Sequence, residues 1–222
     1  MWYIYCDLYQ VEFNTNYIMK IIFTAVLFFA FCNCFGQQNK ADDFKVVNRT
    51  LSITNDGLVI HLDEVNDDGK AWIKGAKFTS GNIEFDIKGK DVLQRSFVGI
   101  AFHGVNDSTY DAIYFRPFNF KTADPARKAH AVQYISSPQY DWSKLRTEFP
   151  NKYEKPLNTP PDPNDWFHVR IAVKGKEISV FVNNETKPSL VVEQIVPIDG
   201  DMIGYWVGNG SGGDWKNLKI AQ

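Results

Sequence analysis

Beyond residue 34 the chain has no cysteine: Cys6, Cys32 and Cys34 are the only three. A domain built from residues 37–222 must therefore be held by its core and not by disulfides. That length suffices for one core burying about 70% of the unfolded surface. An excess of charge of one sign is also missing. Twenty-four Lys and Arg stand against 26 Asp and Glu, a net of −2, so no single-signed field is available to grip phosphates, and nucleic acid is not an expected partner. No apolar run reaches the ~20 residues of a transmembrane helix. No stretch keeps apolar residues at helical spacing, which argues against a bundle or an α/β fold.

What is present at the N-terminus is a short hydrophobic run in MKIIFTAVLFFAFCNCFGQQ, from Met19. Lys20 supplies the positive end, Ile21 to Phe31 the apolar stretch, and Cys34 and Gly36 the small residues before a cut at Gln37; this is the pattern of a secretory signal peptide over 19–36. Residues 1–18 have no lysine, arginine or clear periodicity and read as an upstream extension. The expected location is secreted or periplasmic. A lipid anchor on Cys32 or Cys34 is disfavoured by Phe31 and Asn33, which stand where small residues should precede a modified cysteine. Residues 37–45 are polar and are expected to form a flexible leader before a domain at 46–222.

From there the chain alternates with period two in short segments broken by Gly, Asn, Asp and Pro. The clearest are NIEFDIK (82–88), SFVGIAFH (96–103), YDAIYFRPF (110–118), HAVQYIS (130–136), WFHVRIAVK (166–174), EISVFVN (177–183) and MIGYWVG (202–208). Ten or more such strands without a long helix predict an all-β, two-sheet antiparallel sandwich. In VKGKEISVFVNN, Gly175 marks a tight hairpin. Residues 137–165 are rich in proline but also hold Tyr140, Trp142, Leu145, Phe149 and Tyr153, which predicts a packed loop.

The order FVGIAFHG, YDAIYFRP, HAVQYI, DWFHVRIAVKGKEISVFVNN and MIGYWVGNGSGGDWKNLKI, over about residues 78–220, resembles the concanavalin A-like (laminin G-like) superfamily. Within it the chain is similar to the secreted bacterial branch labelled keto-disaccharide hydrolase-like. The resemblance implies a jelly-roll sandwich of curved sheets with the ligand site on the concave face.

Strand parity then sorts the side chains. Val98, Ile100, Phe102, Ile113, Phe115, Val132, Tyr134, Ile203, Tyr205 and Val207 fall on the core side. Gly99, Ala101, His103, Tyr114, Arg116, Gln133, Gly204 and Trp206 fall on the other. Small residues beside flat and hydrogen-bonding ones suit a sugar, whose C–H face stacks on aromatics and whose hydroxyls meet planar polar groups. Arg127 and His130, in the connection KTADPARKAH that leads into HAVQYIS, and Asp141 and Trp142, just after that strand, are expected to flank or roof the same site. The alternatives are that Tyr114 and Arg116 are ordinary cross-strand neighbours on a solvated sheet, that Trp206 packs under a loop, and that Asp141 staples to Arg127. The expected partner is thus an oligosaccharide or polysaccharide, bound on the concave sheet.

A glycoside-cleaving hydrolase is the alternative function, and a structural or adhesion module without a small ligand a further one. Hydrolysis ordinarily needs two nearby carboxyl groups. Glu84 and Asp86 belong to a strand expected to face solvent, Asp111 has core parity, and the position where the hydrolase-like relatives carry an acid is Ala131 here. No catalytic residue is assigned. No cofactor is expected; NDDG (66–69) and IDGD (198–201) offer oxygen ligands for structural calcium, but such runs are also ordinary turn chemistry.

Overall fold

Why the alternating segments pair as they do is set by which of their faces is apolar. The computed structural model describes residues 39–54, 56–197 and 199–222, and among these fourteen strands form two seven-stranded antiparallel sheets. The first sheet runs β1 (Phe44–Val47), β4 (Gly69–Ile73), β13 (Met202–Val207), β6 (Val98–Gly104), β7 (Tyr110–Phe115), β8 (Val132–Ser137) and β9 (Glu154–Lys155). The second runs β12 (Leu190–Glu193), β11 (Glu177–Val182), β10 (Phe167–Lys174), β5 (Gly81–Lys88), β14 (Ser211–Ala221), β3 (Ile60–Val65) and β2 (Leu51–Ile53). The chain is an all-β sandwich. Among the described residues no helix is long and apolar enough to cross a membrane. The signal-peptide reading of 19–36 and the extension at 1–18 lie outside the described residues.

The two sheets differ in how they treat their outer faces. From Asn82 onward in β5, and throughout β10, buried residues alternate with half-exposed or exposed ones, the mark of a strand with one face in the core and one toward water. There Glu84 and Asp86 stand on the outer face beside His168. β6 and β7 are buried at every position, so the face expected to be solvated is roofed. Between the sheets lie Ile113, Phe115, Ile100 and Val132 from the first and Phe85, Ile171 and Val180 from the second, each with no exposed surface. Phe115 meets Phe167 edge-on at 5.2 Å, Tyr205 stacks on Trp215 at 5.1 Å, and Trp215 Nε1 donates to Gly99 O at 3.1 Å across the layers. Each such buried Phe or Ile contributes about 1.5–3 kcal/mol.

The hairpin β10–β11 closes at Lys174 and Glu177 with Gly175 at φ 60°. The leader expected at 37–45 is in part structured: Ala41–Asp43 form a 3-10 turn and Phe44 begins β1, buried at 5% exposure. The loop at 137–165 holds α2 (Trp142–Glu148), capped where Asp141 accepts from Lys144 N at 2.8 Å, and edge strand β9. A single helical turn, α1 (Pro125–Lys128), precedes β8. The NDDG segment is a turn with Asp67 at φ 65°, tied by Asn48 and Arg49 side chains to its carbonyls, and Asp201 of IDGD pairs with Lys77.

Candidate functional site: a roofed row across the first sheet

The register of the first sheet lines up six residues on its outer face. Lys70 on β4 faces Trp206 on β13, which faces Gly99 on β6, then Tyr114 on β7, Gln133 on β8 and Glu154 on β9. Directly paired residues share a face of a sheet, so this is one transverse row. From Trp206 to Gln133 it spans three inter-strand steps, roughly 14 Å at ~4.8 Å each. Gly99 is required at its centre, because a Cβ there would overlap Ile113 O and Tyr114 Cα.

The small residues of this face do leave room, but a protein side chain takes part of it. Tyr110, on β7, accepts hydrogen bonds on its hydroxyl from Trp206 Nε1 at 3.2 Å and Lys70 Nζ at 3.4 Å. Its ring therefore crosses β6, where Gly99 and Ala101 offer no bulk. Lys70 Nζ also sits 4.7 Å from that ring, a cation held by an aromatic face. What remains open is a cavity of about 690 Å³ over the other half of the row, within the ordinary range for small-ligand sites. Tyr114 and Trp206 floor it, their rings 4.8 Å apart.

At the β8 side of the floor stands Arg116. One of its terminal nitrogens donates to Tyr114 Oη at 2.7 Å and Gln133 Oε1 at 3.0 Å, the other to His130 O at 3.0 Å. Burial weakens its hold on the proton and Arg146 adds to this, while Tyr114 and Glu154 oppose; a guanidinium nonetheless stays charged. Tyr114 is pushed up to about 12, chiefly by burial, with Arg116 pulling the other way, so it is a neutral hydrogen-bonding phenol. Glu154, at 2% exposure, is gripped through both oxygens by Arg146 at 2.9 and 2.7 Å, and Arg116 approaches it to 3.7 Å. The fork on both carboxylate oxygens raises Arg146 above its usual value. His130 Nδ1 lies 2.8 Å from Glu154 Oε2 but too obliquely for a hydrogen bond, and it has no other partner. Burial lowers the His130 imidazole, with Arg146 and Arg116 adding to this and Glu154 opposing.

Arg127 reaches the cavity from α1, its Nε donating to Asn119 Oδ1 at 3.2 Å and a terminal nitrogen to Phe118 O at 2.7 Å. The Asp141–Arg127 staple is thus not formed; Asp141 caps α2 instead. Trp142 is 48% exposed at the rim, with Arg146 over its ring at 5.0 Å, and Leu93, 57% exposed, stands on another part of the rim. Asp68, from the β3–β4 turn, closes the far end. One side of that residue is open to water, yet protein crowds its carboxyl enough that burial pushes it up, with Lys70 and Arg49 opposing.

Seven of the nine residues singled out by parity and loop position therefore line one cavity: Tyr114, Arg116, Arg127, His130, Asp141, Trp142 and Trp206. Gln133 has no exposed surface and lies beneath, orienting Arg116. His103 is a correction. The register shifts between Met202 and Gly204 and His103 takes φ 53°, so its side chain leaves the outer face. It meets Asp111 at 2.9 Å, a carboxylate that also accepts from Tyr134 Oη at 2.7 Å and Gln194 Nε2 at 2.8 Å. Sequence reasoning missed Glu154, Asp68 and Arg146. Arg146 sits on a helix hidden in the expected loop, Glu154 on a two-residue strand too short to show alternation, and Asp68 in a turn. Among the described residues no group of three or more His, Cys, Asp or Glu is placed to hold a metal.

No family model and no curated protein matches the chain. Solved structures do. The carbohydrate-binding module CBM66 from Bacillus subtilis superposes with a TM-score of 0.56 at 17% identity, covering 79% of this chain and 93% of that one. A Bacillus subtilis protein of unknown function with a galectin-like fold gives 0.54 at 13%, covering 82% and 90%. The exoplasmic/lumenal domain of VIP36, in its Ca2+/Man3GlcNAc-bound form, gives 0.51 at 14%, covering 83% and 87%. At these identities the likeness is one of fold: the chain shares the β-sandwich seen in these structures.

Proposed function

We propose that this protein is a secreted carbohydrate-binding sandwich whose saccharide site is the cavity over Tyr114 and Trp206. The observation that carries the reading is the pairing of an aromatic floor, two rings tilted 36° to each other, with planar donors fixed by buried partners, Arg116 standing over the Tyr114 ring at 4.9 Å. The floor suits the C–H face of a sugar ring; Arg116, Arg127 and Asn119 suit its hydroxyls. The donors are preorganised, which lowers the ordering cost of binding. Exposed Trp142 and Leu93 at the rim extend the apolar contact beyond one ring. Two of the similar structures, a carbohydrate-binding module and a domain holding Man3GlcNAc, agree with this reading.

A glycan array followed by calorimetry tests it. Saccharide binding is expected, with loss of most affinity in Arg116→Ala; unchanged affinity in that variant, in a protein that still melts cooperatively, contradicts the site. A hydrolase of the keto-disaccharide type is the second reading, favoured by one observation: two carboxyl groups, Asp68 and Asp141, line the same cavity, and Asp68 is pushed toward its protonated form, as a general acid requires. Release of reducing ends that stops in Asp68→Asn would support it; binding without turnover sets it aside.

A further inference from the structure

The polar wall of the cavity is not charge-balanced, and the imbalance is confined to one end. Glu154 carries one negative charge and is already held through both oxygens by Arg146. Arg116, at 5% exposure, reaches it only to 3.7 Å and otherwise donates to neutral oxygens. The Arg127 guanidinium donates only to neutral oxygens, while the backbone N–H of the same residue donates to the Asp124 carboxylate at 3.4 Å. The two guanidinium groups are linked through one carbonyl and one amide: His130 O accepts from Arg116 and from Asn119 Nδ2, and Asn119 Oδ1 accepts from Arg127. Arg116 and Arg146 thus share one carboxylate, and Arg127 stands on the same wall with no carboxylate on its guanidinium. A buried cation without a full counter-charge is costly.

The acids that line the cavity do not cancel this. Asp68 closes the opposite end, beyond Trp206, with Lys70 and Arg49 beside it. Asp141 is engaged at the N-terminus of α2 through Lys144 N. His130 Nδ1, on the cavity wall, lies 2.8 Å from Glu154 Oε2 and adds to the positive side of this wall only when protonated. The site is therefore polarised, with an aromatic floor between an arginine-rich wall and an aspartate end.

We infer that the saccharide this cavity selects is an acidic one, a sugar ring bearing a carboxylate or sulfate, lying on Tyr114 and Trp206 with its anionic group at Arg116 and Arg127. The inference rests on the saccharide reading above and narrows it. Paired guanidinium forks match the oxygens of either anion, and sequestration from water strengthens the attraction. The ring contributes stacking that a simple anion lacks, so both parts of the ligand are read.

Calorimetry on the protein separates these contributions. The probes are a glucuronate-containing disaccharide, a sulfated disaccharide, the neutral glucose disaccharide of the same linkage, and sodium acetate and sodium sulfate. At low salt at least one acidic disaccharide binds ~10-fold or more tightly than the neutral one, as one charge-assisted hydrogen-bond pair supplies. Which of the two does so identifies the anion. The advantage shrinks as salt is raised, and acetate and sulfate bind far more weakly than either disaccharide. In Arg127→Gln the ratio of acidic to neutral affinity falls toward one. Arg127→Lys, which keeps the charge and loses the fork, gives an intermediate ratio and serves if the glutamine variant does not fold. Neutral and acidic disaccharides binding alike would overturn this inference and leave the saccharide site standing. Simple anions binding as tightly as acidic sugars would overturn it as well, while no saccharide binding at all would overturn both readings.

Discussion

Strand β7 carries two buried polar clusters on opposite faces. On the inner side Asp111 is enclosed by His103, Tyr134 and Gln194 with no exposed surface. On the outer side Tyr114 leads to Arg116, Gln133, Glu154 and Arg146. Both are hydrogen-bonded and both are at most a few per cent exposed, apart from half-buried Gln194 in the first and Arg146 at the rim in the second. Burial does not tell them apart. The difference is in what lies beyond the last side chain: the inner cluster lines no part of the cavity and reaches the surface only at Gln194, and the outer one ends on the cavity. On the proposed reading the inner network serves stability and the outer one recognition, and variants that separate these two properties put the division at risk.

The largest effect is expected inside. Asp111→Asn replaces one of the two oxygens that accept from His103, Tyr134 and Gln194 by an NH2 group, so at least one buried donor faces a donor, and should cost about 3 kcal/mol of stability in denaturant unfolding, with saccharide affinity unchanged in the folded fraction. Arg146→Ala strands the Glu154 carboxylate. Because Arg146 is itself about one-third exposed and Arg116 can turn toward the vacated oxygen, the loss should be about 2–3 kcal/mol. Unlike Asp111→Asn, it should also weaken binding, since Arg116 is drawn off the cavity. Arg116→Lys keeps the charge and removes the fork, so affinity should fall about 10–100-fold. Trp142→Ala, at the rim, should weaken binding only a few-fold, roughly 1 kcal/mol or less.

The smallest expected effect concerns pH. His130 is held below its ordinary value of 6.5, mainly by burial, so the unfolded chain binds its proton first. Its contribution to stability is present above that value and is lost as pH falls through it toward the lowered folded value. Melting temperatures measured downward from neutrality should decline less in His130→Asn than in the unaltered protein.

The same contrast shows how much was legible in the sequence. Period-two alternation gave the sandwich and, with parity, placed Ile113 and Phe115 between the layers and Tyr114, Arg116 and Trp206 on the other face, because side-chain alternation is a property of each strand alone. The row from Lys70 to Glu154 was not legible, since register across strands depends on pairing that no single segment encodes. β4 was missed for a related reason: Lys70, Ala71 and Trp72 are all buried, so the strand shows no polar face. His103 departed from parity because a bulge at Met202–Gly204 and a left-handed backbone redirect it. The roof, drawn from segments near Leu93, Phe118, Arg127 and Trp142, has no periodicity to read.

The five tryptophan indoles among the described residues give the most direct test of the saccharide site. Trp206 and Trp142 line the cavity; Trp72 lies under the Tyr110 ring, Trp215 between the sheets, and Trp166 beneath Lys216 on the second sheet. In a nitrogen–proton correlation spectrum titrated with a saccharide that binds, the Trp206 and Trp142 indole signals should move together along one binding curve while that of Trp166 stays fixed. Movement of Trp166 with Trp206 and Trp142 unmoved would place the ligand on the other sheet and contradict the account.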